Sequence, residues 1–233
     1  MSRKKNNGNG NGNGKEVEVV KKLKTKTKVI ITAKSGNQKE LLKSIKENLV
    51  TIVAGPPGSG KTLIAVTSGL SEFIMGKYDR MIFTRPCVEA NGENLGFLPG
   101  DLNEKIHPYM YPIFDFLSDY LTIKQIEGYI KSESIMTLPL AFQRGMTFKN
   151  SFVLLDEGQN TTPDQIRMFL TRIGENCKVV ITGDPLQTDI KDKNGLVDAC
   201  ERLDGVKNLK VIRFTKEDIV RNPIVAEIEE RYS

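Results

Sequence analysis

Six short apolar runs, spread from residue 49 to residue 214, constrain the fold of this chain more than any other feature. They read LVTIVAG (49–55), RMIFT (80–84), SIMTL (134–138), SFVLLD (151–156), KVVITG (178–183) and LKVIRF (209–214). Most are continuously apolar rather than alternating, the mark of a strand covered on both faces. Between them, apolar residues at helical spacing predict helices over 37–48, 60–75, 102–121, 163–173, 195–203 and 216–231. Strands and helices in alternation make an α/β fold, a mostly parallel sheet with helices on both faces. Such sheets bind ligands beyond the carboxyl ends of their strands.

At the end of the first run stands Gly55-Pro56-Pro57-Gly58-Ser59-Gly60-Lys61-Thr62, followed by the helical pattern TLIAVTSGLSEFIM. This is the phosphate-binding loop G-x-x-x-x-G-K-[ST] in its required setting of strand, loop and helix. Glycines let successive N–H groups turn toward phosphate oxygens, and the following helix aims its positive end at the anion. Lys61 is expected on the β- and γ-phosphates of ATP, and the Thr62 hydroxyl on Mg²⁺.

The fourth run ends in Asp156-Glu157. A carboxylate there suits the Mg²⁺-associated aspartate of such sites. The next residue, Glu157, is placed to act as general base toward the attacking water. The fifth run ends in Gly183-Asp184 with Gln187 three residues on, an amide suited to holding that water and sensing the γ-phosphate. A solvated turn would read the same way for either element taken alone. A base at Glu157 favours hydrolysis over phosphoryl transfer to a metabolite, which argues against a small-molecule kinase.

Charge is unevenly distributed. Residues 1–34 hold ten Lys or Arg and two Glu, an excess of eight, so a net charge of +5 leaves −3 for the rest. A basic arm fits a polyanionic partner, or simply a solubilising tail. Asn6 to Gly14 is an Asn/Gly tract with nothing to bury and is expected to be disordered, and 15–34 alternates as one marginal exposed strand would, or as an arm that orders on binding. The expected division is therefore an arm over 1–34 and an ATPase domain over 35–233. No apolar run reaches the ~18 residues of a membrane span, and no apolar leader is present, so a cytoplasmic location is expected. Cys87, Cys177 and Cys200 are read as free thiols, and His107 as structural. No metal site built from protein ligands alone is visible.

GPPGSGKT, TRPCVEANGENLGFLPGDL, PLAFQRG, FVLLDEGQNTTPDQIRMFLTRIG, VVITGDPLQTD and EDIVRNPIVAEI together resemble the PhoH-like proteins, a phosphate-starvation-associated ATPase family of bacteria and phages. The resemblance runs over about 37–231 and leaves the arm without a counterpart. It implies a single RecA-like core related to superfamily 1 helicases, with ATP hydrolysis linked to RNA or single-stranded DNA. By that relationship, Gln38 is a candidate for reading adenine through its amide. Arg85 and Arg144 are candidates for the nucleic-acid backbone. Their alternatives are a solvated helix start and ordinary surface arginines.

No arginine lies within GPPGSGKT or DEGQN, and P-loop enzymes commonly neutralise transition-state charge with one. A neighbouring copy is the expected donor, through Arg221 or, second, Arg172. That implies a homo-oligomeric ring, a hexamer first. The leading function is an ATPase that remodels nucleic acid. The alternative is a slowly turning nucleotide switch that only changes partner affinity.

Overall fold

The computed structural model describes residues 29–86, 111–191 and 193–220, with positions 224 and 231. The expectations for residues 1–28, Cys87, His107 and Arg221, and part of those for the helices over 102–121 and 216–231, lie outside these residues.

Among the described residues the elements run α1 (Gly36–Glu47), β1 (Val50–Ala54), α2 (Lys61–Ile74), β2 (Arg80–Thr84), α3 (111–118), α4 (Ile123–Lys131), β3 (Ile135–Thr137), β4 (Ser151–Leu155), α5 (Pro163–Leu170), β5 (Cys177–Gly183), α6 (Gly195–Arg202) and β6 (Leu209–Arg213). All six strands pair in parallel in the order β3-β2-β4-β5-β1-β6. The apolar runs therefore are strands, each within a residue or two of its expected bounds. β1, β4 and β5 are buried along their whole length, as continuous runs require.

Two apolar layers enclose the sheet. Leu41 and Ile45 of α1, Leu70 and Phe73 of α2, Leu117 of α3 and Ile126 of α4 pack on one face around Phe83 and Phe152. Ile166 and Phe169 of α5 and Leu196 and Ala199 of α6 cover the other, around Val179 and Ile181. Truncating one of these buried rings to alanine costs about 3–5 kcal/mol.

Local sequence explains the helix bounds. Ser35 accepts from Gln38 N at 3.1 Å and starts α1. Thr122 with Gln125, and Thr162 with Gln165, form capping boxes for α4 and α5. The buried Lys178 ammonium donates to the carbonyls of Ile45 and Lys46, closing the end of α1, and burial lowers its pKa. Sequence periodicity missed α4. Its nine residues expose Ile123 and bury only Ile126, and Gly128 interrupts the pattern. The described end of the arm, 29–34, forms no strand. It keeps its alternation nonetheless, with Val29 and Ile31 against the core and Ile30 64% exposed.

Chain direction sets the site. From β1, α2 leads to β2 on one side of the sheet order, whereas from β5, α6 leads past β1 to β6. Crossovers leaving adjacent strands in opposite directions open a crevice at their carboxyl ends.

Candidate nucleotide site

From Ala54 the chain turns through 55–60 into α2. Gly60 has φ 82°, a left-handed value, and a Cβ there would sit 3.0 Å from the Gln38 amide nitrogen. No side chain caps α2, so the N–H groups of its first turn face the loop. The loop closes on itself: Ser59 Oγ donates to Pro56 O at 2.7 Å. Lys61 Nζ, on a residue 7% exposed, reaches Pro56 O at 2.7 Å and Ser59 Oγ at 3.3 Å. A concave ring of donors ending in an ammonium is an anion site.

Asp156 follows β4 and is 1% exposed. Its Oδ1 accepts from the hydroxyls of Thr62 at 2.8 Å and Thr182 at 2.5 Å. Its Oδ2 accepts from Arg85 Nε at 3.0 Å and Nη2 at 2.5 Å. β5 lies between β1 and β4, so Thr182, near its end, comes beside the Asp156 carboxylate. Because Thr62 spends its proton on Asp156, its oxygen lone pairs are left for a cation.

Glu157 adopts φ 58°, ψ 39°, a left-handed conformation that costs a non-glycine residue about 1–3 kcal/mol and clusters at functional sites. Its side chain is 46% exposed. One oxygen accepts from Gln159 Nε2 at 2.6 Å, and the other lies 4.0 Å from Arg85 Nη2. Glu157, Asp156, Lys61, Thr62, Asp184 and Gln187 all line one cleft of about 430 Å³.

The same cleft is lined by Ile30, Ile31, Thr32 and Lys34 of the segment before α1, and by Phe116, Tyr120 and Val220. Tyr120 Oη donates to Ile30 O at 3.2 Å, tying α3's end to the 29–34 segment. Gln38 lines the cleft but is 4% exposed, with Nε2 donating to Ser59 O at 2.8 Å and Oε1 accepting from Lys34 N at 2.7 Å. It thus links the segment to the phosphate loop.

The arginine expectations need amending. Arg85, a candidate with Arg144 for the nucleic-acid backbone, is turned onto Asp156 and is 17% exposed. The β2 end lies next to the β4 end, which makes a buried carboxylate its nearest partner. The site therefore contains an arginine from its own chain, although that charge is committed to Asp156. Arg144 is exposed, following the 3₁₀ turn Leu140–Gln143. Arg172 lies at the opposite end of the strands from the site, its carbonyl accepting from Phe148 N ahead of β4. Cys177 and Cys200 are free and buried, and burial pushes the Cys200 thiol up to about 11.

Sequence reasoning missed Thr182, Gln159, Phe116, Tyr120 and the 30–34 segment. The end of the fifth run draws notice only for its glycine and aspartate. Strand order, which puts Thr182 beside Asp156, has no local signature.

Among the described residues no group of three or more His, Cys, Asp or Glu could hold a metal ion. The Thr62 hydroxyl backed by Asp156 fits Mg²⁺, which takes few protein oxygens and completes its shell with phosphates and water. No helix among the described residues is long and apolar enough to cross a membrane.

The PhoH family model, described as PhoH-like protein, matches residues 30–233. The chain is 44% identical over 204 residues to a PhoH-like protein of Bacillus subtilis (strain 168), covering 87% of this chain and 64% of that one. It is 39% identical over 207 residues to Protein PhoH of Escherichia coli (strain K12), covering 87% and 58%. The chain therefore spans about three-fifths of the length of these relatives. Among solved structures it is similar to the large terminase from a thermophilic bacteriophage, with TM-score 0.48, 14% identity and coverage of 85% and 50%. It is also similar to Bacteroides Pif1 bound to ssDNA, with TM-score 0.37, 19% identity and coverage of 86% and 46%. The six-stranded parallel sheet, the GPPGSGKT loop at its crevice and a family match over 30–233 agree: this chain belongs to the PhoH-like protein family, with a RecA-like P-loop core.

Proposed function

We infer that this chain binds MgATP and hydrolyses it, and that hydrolysis is coupled to RNA or single-stranded DNA. The observation that carries the reading is the Asp156 carboxylate. It holds the Thr62 hydroxyl while its neighbour Glu157 opens into the cleft shared with Lys61 and Gln187.

Lys61 and the first-turn N–H groups of α2 take the phosphates, and Thr62 with Asp156 behind it holds Mg²⁺. The ion supplies charge neutralisation on the β- and γ-phosphates. Glu157 accepts a proton from water as its oxygen bonds to the γ-phosphorus. The bridging P–O bond breaks, and its electron pair leaves with ADP. The Gln187 amide is within the same cleft to hold that water. The apolar walls from Ile30 to Tyr120 take the base.

Nucleic acid is the favoured partner because of the basic excess over 1–34 and the exposed Arg144, which follows the turn whose Leu140 N–H bonds Arg85 O. Assembly into a hexameric ring, with Arg221 or Arg172 reaching a neighbour's γ-phosphate, would complete the site. Steady-state ATP hydrolysis with and without single-stranded RNA tests the coupling: strong stimulation is expected. Turnover that is slow and indifferent to RNA and DNA would favour a nucleotide switch. Mixing Lys61→Ala with Arg221→Ala or Arg172→Ala protein tests the ring, since mixed interfaces restore activity only in an assembly.

A further inference from the structure

One buried amide joins the two halves of the water-activating apparatus. Gln159 sits in the 3₁₀ turn Gly158–Asn160 directly after the Asp156-Glu157 pair and is 1% exposed. Its Oε1 accepts from Asp184 N at 3.0 Å, and its Nε2 donates to Glu157 Oε2 at 2.6 Å. Chemistry fixes this orientation. A backbone N–H can only donate, so the amide oxygen must face Asp184 and the NH₂ must face the carboxylate. The flipped amide would set donor against donor and oxygen against oxygen.

What Asp184 anchors gives the contact its meaning. Its carbonyl accepts from Gln187 N at 3.1 Å, and its Oδ1 accepts from Leu186 N at 3.0 Å. The turn that carries Gln187 is thereby built on the residue Gln159 grips. The end of β5 is shaped for the grip as well: a Cβ on Gly183 would lie 2.4 Å from Gln159 Oε1. Glycine there admits the amide.

We propose that Gln159 is a positioning residue for hydrolysis. It holds the Glu157 carboxylate toward the cleft and locks its placement to the turn that presents Gln187. Engaging Oε2 leaves Oε1 as the oxygen that meets water, so the base is offered in one geometry. A displacement of the Gln187 turn by an arriving or departing γ-phosphate is transmitted through Asp184 N and Gln159 to the base. The inference rests on the reading of Glu157 as general base.

Two substitutions separate the bonds. Gln159→Met keeps length and loses both bonds; Gln159→Glu keeps an acceptor for Asp184 N and puts a carboxylate against Glu157. For both, kcat is expected to fall about 10–100-fold, while KM and the affinity for a fluorescent ATP analogue stay within about 2-fold. In a Glu157→Gln background, Gln159→Met is expected to add less than about 2-fold, because it acts through a base already removed. Thermal unfolding of each variant checks folding. A Gln159→Met protein at the wild-type rate overturns the inference, as does a loss that multiplies fully on top of Glu157→Gln. If Glu157→Gln itself turns over normally, the base assignment falls and the inference with it. A slow Glu157→Gln beside a fast Gln159→Met overturns the inference alone.

Discussion

The Thr182 hydroxyl lies 2.5 Å from the same Asp156 oxygen that receives the Thr62 hydroxyl at 2.8 Å. Two strands and a helix therefore converge on one carboxylate oxygen. Thr182→Val keeps the shape of a fully buried side chain and removes its donor. A hydrogen bond to a charged group is worth about 1.5–3 kcal/mol, so urea unfolding should register a loss of that order. Freed from one restraint, Asp156 should also hold Thr62 less firmly, and the Mg²⁺ concentration for half-maximal turnover should rise. An unchanged Mg²⁺ requirement would mean that Thr62 and Arg85 set the carboxylate without Thr182.

Arg85 presents a sharper choice. It covers Oδ2 of a side chain that is 1% exposed. Removing one partner of a buried pair costs about 3–5 kcal/mol, because the remaining charge is left uncompensated. Arg85→Ala should therefore lower stability by about that much. Arg85→Lys, with the charge but without the two-pronged geometry, should recover part of it. If Arg85→Ala instead folds with wild-type stability and loses only RNA affinity, its role is at the nucleic acid.

The strands and the phosphate loop were legible because each carries its own local signal. A doubly covered strand must be apolar throughout, and a loop that wraps phosphate must be rich in glycine. Asp156 and Glu157 were legible as polar residues ending such a run. Partnerships were not. Leu155 pairs with Ile181 only because β5 inserts between β1 and β4, and that order places Thr182 and Gln159 in the site. The contact of Arg85 with Asp156 was hidden for the same reason: its motif gave a position along the chain, whereas its direction depends on the neighbouring strand. Phe116 and Tyr120 fall within the helix expected over 102–121, and nothing in their spacing announced the cleft.

Gln38 allows a test of base selection. Its oxygen and one of its N–H groups are used on Lys34 N and Ser59 O, and the lining around it is mostly apolar, with Ile30, Ile31, Phe116 and Val220 beside Thr32, Lys34 and Tyr120. ATP and GTP should accordingly be hydrolysed with kcat/KM values within about 10-fold of each other, as expected where shape rather than paired polar groups selects. Gln38→Leu should raise KM for both alike by loosening the phosphate loop. A loss confined to ATP would show that the amide reads adenine after all.

Asp218 braces the Val220 side of the cleft and gives it a pH dependence. The residue is 4% exposed and accepts from Ser35 Oγ at 2.6 Å, Asn37 Nδ2 at 2.7 Å and Thr215 N at 2.8 Å. It thereby ties the start of α1 to the turn before Val220, whose N–H bonds Gly58 O at 3.0 Å. Burial by itself raises the Asp218 carboxyl, but the bonds from Ser35, Thr215 and Asn37 outweigh it and hold the pKa below the ordinary value. A carboxyl lowered on folding stabilises the folded chain fully above its unfolded pKa of about 3.9 and loses that contribution as pH falls through the lowered value. Asp218→Asn should therefore cost about 1–3 kcal/mol near pH 7, where its NH₂ meets donors that expect an acceptor. Urea unfolding of both proteins from pH 7 down to pH 3 should show the gap narrowing only below about pH 4. A gap that closes well above pH 4 would mean another group carries the effect. Nucleotide affinity should fall with stability at pH 7, since Val220 and the 30–34 segment both line the cleft.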